Sequence, residues 1–108
     1  MVLPISKYNL NEVKEILSNI QRNQVKIIET PHFTKRSNSK KREKYCKPSI
    51  VYETLKTTQP VDIYDSNYDK FRIKYDHINS ERYYIIIVVF IVSKNEIRLI
   101  TTHPERKK

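Results

Sequence analysis

His32 opens the stretch of this chain best suited to chemistry, Thr30-Pro31-His32-Phe33-Thr34-Lys35-Arg36, with Arg42 following shortly after. A helical turn over residues 32–36 would set His32 and Arg36 on one face, at i and i+4. An imidazole that exchanges a proton near neutral pH would then stand beside a fixed cation. Metal-free RNA cleavage asks for such a pair. One group moves protons between the 2′-hydroxyl and the departing 5′-oxygen, and cations steady the crowded phosphorane. A histidine at a helix start also serves as a cap or a plain hydrogen-bonding partner, and the spacing leaves both readings open. His103 ends the run Ile97–Thr102. Strict alternation there puts Arg98, Ile100 and Thr102 on one face and Leu99, Thr101 and His103 on the other. Arg98 or His103 would add groups to a site if that strand end meets His32 in space. His77, in a turn after Tyr75-Asp76, reads as structural or solvated.

Other chemistries find little support. No HExxH or CxxC spacing occurs, so neither a metal nor another cofactor is expected. Glycine is absent, which removes the phosphate loops of P-loop and dinucleotide-binding folds, whose backbone positions only glycine tolerates. The single cysteine, Cys46, has no partner for an internal disulfide. Lys44 and Lys47 would acidify its thiol, but nothing around it orients a nucleophile.

Charge is concentrated. The chain of 108 residues carries 21 Lys+Arg against 12 Asp+Glu, a formal +9. Lys35, Arg36, Lys40, Lys41, Arg42, Lys44 and Lys47 lie in one segment against Glu43 alone, and Arg106, Lys107 and Lys108 form a second small cluster. Such a patch attracts polyanions and gains free energy by releasing counterions from phosphates. A basic run is also what a solvated loop looks like. Phe33 and Tyr45 flank it, and their rings either stack on unpaired bases or anchor the loop to a core.

The elements that must position these groups are legible from periodicity. Leu10, Val13, Ile16, Leu17 and Ile20 define an amphipathic helix capped by Asn9 or Asn11 and ending near Asn23. Gln24–Thr30 reads as a strand. Residues 32–47 read as a short helical or loop segment interrupted at Ser37–Ser39, and Pro48 starts a second short helix over Ile50–Leu55. Val61–Asp65, Lys70–Asp76, Arg82–Ser93 and Glu96–Thr102 read as strands. Arg82–Ser93, apolar on both faces, is expected to be central and covered on both. Lys94-Asn95 signals a hairpin in which Asn takes φ > 0, and Pro104–Lys108 reads as a basic tail. The longest apolar run, Tyr83–Val92, is far short of the roughly 20 residues of a membrane span, and no signal peptide is visible. The expectation is one α+β domain over residues 1–108, in the cytoplasm. An N-terminal helix and a short second helix would pack on a mainly antiparallel sheet of about four to five strands.

The order Thr30–Arg36, Arg42, the helix over Ile50–Leu55 and a strand meander closing on Ile97–Thr102, His103 and Pro104 resembles short toxin-like domains of the RelE/colicin/barnase-like ribonuclease superfamily. The strands Phe71–Tyr75 and Tyr84–Val92 fit the same layout, and the likeness covers roughly residues 24–104. The resemblance implies a metal-independent endoribonuclease toxin that cuts mRNA or tRNA and is neutralised by a separate antitoxin. On this expectation His32 moves protons and Arg36, with Arg42 or Arg98, stabilises negative charge. Thr101, Thr102 and His103 line the site, while Lys35, Lys40, Lys41, Lys44 and Lys47 hold the RNA backbone. RNA and an acidic antitoxin are the expected partners. The rival reading is a basic nucleic-acid-binding or regulatory protein without catalysis.

Overall fold

A computed structural model describes residues 6–37 and 45–108, with Arg36 and Ser37 described by backbone alone. The architecture is α+β, with three helices and a five-stranded mixed sheet among these residues. Helix α1 (Leu10–Gln21) starts where the sequence predicts. The Asn9 side chain accepts the Glu12 N–H at 2.8 Å and the Glu12 carboxylate accepts the Asn9 N–H at 3.1 Å, a reciprocal capping box. Its apolar stripe, Val13, Ile16, Leu17 and Ile20, is buried, and Asn23 closes it with φ 59°, a left-handed conformation that Asn tolerates well.

Strand β1 (Lys26–Glu29) leads into α2 (Pro31–Ser37), which confirms a helical turn across residues 32–36. Thr30 joins the two. Its hydroxyl accepts the Phe33 N–H at 3.2 Å and donates to the Leu99 carbonyl at 2.7 Å, so the capping residue also ties the helix to the last strand. Pro31 occupies the first helical position, where no N–H is needed. Helix α3 (Pro48–Thr57) begins on a proline in the same way and buries Ile50, Val51, Thr54 and Leu55.

Strands β2 (Asp62–Asp65), β3 (Lys70–Asp76), β4 (Tyr83–Ser93) and β5 (Glu96–Arg106) follow as an antiparallel meander. The sheet order is β1-β5-β4-β3-β2, with β1 parallel to β5 on the edge. One core holds the apolar faces of α1 and α3, Phe33, and the inward residues Phe71, Ile73, Tyr75, Ile85, Ile87, Val89, Ile97 and Leu99.

Four expectations need correction. Strand β4 is apolar on both faces, yet its second face carries no packed helix among the described residues. Ile86 is only 2% exposed but lies outside the core cluster, shielded by long side chains of β3 and β5 that pair beside it. The Lys94-Asn95 turn is present, but Asn95 has no positive φ. The Ser93 hydroxyl accepts the Asn95 N–H at 3.2 Å and the ladder shifts register between Ile91 and Ser93, which permits a different turn. Left-handed residues occur instead at Asn67, Tyr68 and Asp69, between β2 and β3. That turn is held by Ser6, which donates to Asp65 at 2.7 Å, and by Asp69, which accepts the Lys7 N–H at 2.5 Å.

Thirdly, the expected tail is strand through Arg106. Pro104 fits there because, among the described residues, β1 pairs with β5 over Glu96–Leu99 alone, and a proline on the outer side of an edge forgoes no ladder hydrogen bond with β1. Finally, β5 does not alternate strictly. Val88 pairs with Thr101 and Val89 with Leu99, leaving Ile100 as a bulge. The extra residue resets the phase, so Thr102 joins Leu99 on the core side while Arg98, Thr101 and His103 share the other face.

Candidate functional site

The face of the sheet opposite α1 and α3 is built by alternation. On β3, Phe71, Ile73 and Tyr75 point into the core, so Arg72, Lys74 and Asp76 point out. On β4 the outward set is Tyr84, Ile86, Val88 and Phe90; on β5 it is Arg98 before the bulge and Thr101, His103 and Glu105 after it. Edge strand β2 adds Tyr64, opposite Arg72.

These side chains form a connected polar cluster over an apolar floor. A guanidinium nitrogen of Arg72 lies 3.5 Å from Nε2 of His103. Arginine only donates, so Nε2 is the acceptor in that contact and holds its lone pair toward Arg72. Lys74 pairs with Glu105 at 2.8 Å. The hydrogen bond from Lys74 holds the Glu105 carboxyl below its usual range, with the charges of Lys74 and Arg72 adding to the effect, and Glu105 in turn raises the Lys74 ammonium. Tyr64 stands beside the Asp62 carboxylate, which raises the phenol and is itself lowered. Tyr64, Ser66, Arg72, Lys74, Ile86 and Glu105 line an open recess of about 350 Å³. A second recess of about 530 Å³ shares Lys74 and Glu105 with it and is completed by Tyr84, Arg106, Lys107 and Lys108.

The sequence-derived candidates are divided by this geometry. Arg98, Thr101 and His103 come together on the open face. Thr102 does not. It is fully buried on the core side, where its hydroxyl donates to the Ile86 carbonyl at 3.0 Å, so its role as a site residue is corrected to a structural one. His32 is exposed on α2, which packs along β5. Phe33, beside it, is the buried anchor of that helix. Position 36 follows one turn later in α2. Arg42, Lys40, Lys41 and Lys44 lie outside the described residues. Lys35 is exposed on α2, and Lys47 is exposed at the start of α3.

Cys46 is buried, which removes it from chemistry at the surface. His77 is structural. The Asn79 N–H donates to its Nδ1 at 3.0 Å, so Nε2 carries the proton and donates it to the Tyr45 carbonyl at 2.7 Å. Tyr45 also stacks at a tilt on Tyr83, with centroids 4.5 Å apart. Among the described residues, no three His, Cys, Asp or Glu side chains gather as a metal cage requires.

Arg72, Lys74, Tyr64 and Glu105 were missed by sequence reasoning. The signal was present in the alternation of β3, but alternating charge reads as a solvated strand face until a partner strand brings a histidine beside it.

The model of the MJ0788 family matches residues 11–89, most of the chain. This protein belongs to the MJ0788 family. No curated protein and no solved structure matches it. The stretch matched to the MJ0788 family runs from α1 into β4 and includes His32, Arg36, Arg42, Arg72 and Lys74; His103 and Glu105 on β5 lie beyond it. No helix among the described residues is long and apolar enough to cross a membrane.

Proposed function

We propose that this MJ0788-family protein is a metal-independent endoribonuclease of the toxin type, with its reaction centre on the open sheet face. The reading is carried by one observation: a histidine lone pair directed at an arginine, beside a lysine–carboxylate pair, over an exposed recess. As RNA binds, the Nε2 lone pair of His103 passes from Arg72 to the RNA 2′-hydroxyl and takes its proton as that oxygen attacks phosphorus. The bond from phosphorus to the 5′-oxygen breaks, and the imidazolium returns the proton to the departing oxygen, leaving a 2′,3′-cyclic phosphate and a free 5′-hydroxyl. Arg72 and Lys74 stabilise the charge that develops on the phosphorane. Glu105 orients Lys74, because a carboxylate held low by an ammonium is a poor base. Arg98, on the same face of β5, extends the cationic surface for the RNA strand. A neutralising acidic protein would compete with RNA for the same face.

The test is incubation of purified protein with single-stranded RNA in excess chelator, followed by identification of the new ends. Cyclic phosphate ends that disappear with His103→Ala support the reading. RNA that stays intact while binding is steeply salt-dependent overturns it in favour of a non-catalytic nucleic-acid-binding protein.

A further inference from the structure

The second recess shares Lys74 and Glu105 with the first, and its other residues have no part in the bond-breaking step. Its floor is Tyr84, whose ring lies under two ammonium groups, Lys74 and Lys107, each 4.8 Å from the centroid. Both ammoniums are further fixed by carboxylates, Lys74 by Glu105 at 2.8 Å and Lys107 by Asp76 at 2.6 Å. Four contacts therefore hold two cations in place on one side of the recess. Lys108 lines it as well, is exposed and forms no ion pair among the described residues, so an entering anion meets a cation that no side-chain carboxylate has neutralised. A preorganised ammonium pair next to a third cation suits a phosphate group, which accepts several charge-assisted hydrogen bonds at once.

We propose that this recess is a subsite for the phosphate adjacent to the one in the first recess, so that the preferred ligand is single-stranded RNA carrying two consecutive phosphates. The proposal rests on the reading of the open face as an RNA site, but it does not require cleavage. Tyr64 in the first recess offers an exposed ring surface on a sheet, the kind of platform on which unpaired bases stack. The two recesses lie side by side on one strand set, so the second phosphate is reached from one side of the first only. That makes the subsite directional.

The experiment measures binding of three ligands made uncleavable by 2′-O-methylation: a dinucleotide, the same with a 5′-terminal phosphate, and the same with a 3′-terminal phosphate. One of the phosphorylated forms binds about tenfold tighter than the bare dinucleotide, the effect of about one charge-assisted contact. Lys107→Gln/Lys108→Gln abolishes that gain and leaves the bare dinucleotide unchanged; Lys14→Gln, on α1, keeps it. Circular dichroism confirms that each variant is folded, and Lys108→Gln alone gives a partial loss if the double variant is unstable. Equal affinity for all three ligands, an equal gain from either terminal phosphate, or a gain that survives the double variant overturns the subsite. If the gain is present but RNA is never cut, the subsite stands and the ribonuclease reading fails. If RNA is cut and no gain appears, the reverse holds.

Discussion

Arg72 on β3 and His103 on β5 meet at 3.5 Å across β4, over the side chain of Ile86. Neither residue is near the other in sequence, and the meeting depends on the bulge at Ile100, which turns His103 to the face that Arg72 occupies. Replacing His103 with Ala should lower the RNA cleavage rate by about 10²- to 10⁴-fold, the usual contribution of a positioned acid–base group. Arg72→Gln should lower it by about 10²- to 10³-fold through lost charge stabilisation. His32→Ala, measured in the same assay, should leave the rate nearly unchanged. A collapse of activity in His32→Ala with normal activity in His103→Ala would move the site to α2.

Thr102 separates structure from site. Its hydroxyl bonds the Ile86 carbonyl inside the core. Thr102→Val keeps the shape and removes the hydroxyl, which should cost about 1–3 kcal/mol by leaving a buried acceptor short of a donor. Thr102→Ser should retain the bond. Urea denaturation of both variants, beside their cleavage rates, checks the assignment: stability falls in the first while the rate per folded molecule stays.

Tyr68 has φ 55° and is 66% exposed, an unusual conformation for a bulky residue with little packing to compensate. A left-handed residue costs roughly 1–2 kcal/mol, while glycine loses roughly 0.5–1 kcal/mol more in chain entropy on folding. Tyr68→Gly should therefore raise stability by about 0.5–1 kcal/mol, seen as a higher denaturation midpoint. A drop would show that the Tyr68 ring makes contacts worth more than its backbone costs.

The Lys74–Glu105 pair carries a pH signature. The folded-state pKa of Glu105 is depressed, chiefly by the hydrogen bond from Lys74, so its contribution is complete above the ordinary carboxyl value and is lost as pH falls through the lowered one. Lys74 is raised, so its contribution is complete below the ordinary ammonium value and is lost as pH rises through the elevated one. Both groups are solvent-accessible and the effect is small. Melting temperatures of wild type and Glu105→Gln should differ slightly near neutrality and converge in acid. A gap that widens in acid would contradict the assignment.

Phe33 fixes α2 against the core with no exposed surface. Phe33→Ala should cost about 3–5 kcal/mol. Asn9→Ala, which opens the capping box of α1, should cost about 1 kcal/mol. Denaturation curves test both, and the ordering matters more than either value: a cap bonds backbone groups that water would otherwise serve, whereas an emptied aromatic site leaves a cavity.

Local pattern determined most of the elements. Asn9 and the stripe from Val13 to Ile20, Pro48 before Ile50, and the alternation from Phe71 to Tyr75 each act within a few residues, where propensity, capping and periodicity decide. Local charge likewise marked the cations of α2 and the C-terminal cluster. The pairing of β1 with β5 in parallel, the strand character of Pro104, the phase shift at Ile100 and the approach of Arg72 to His103 were decided by tertiary structure. A bulge is a property of two strands in register, and which face a side chain takes after it depends on the partner. The sequence of β5 alone, read with unbroken alternation, puts Thr102 and His103 on each other's faces for that reason.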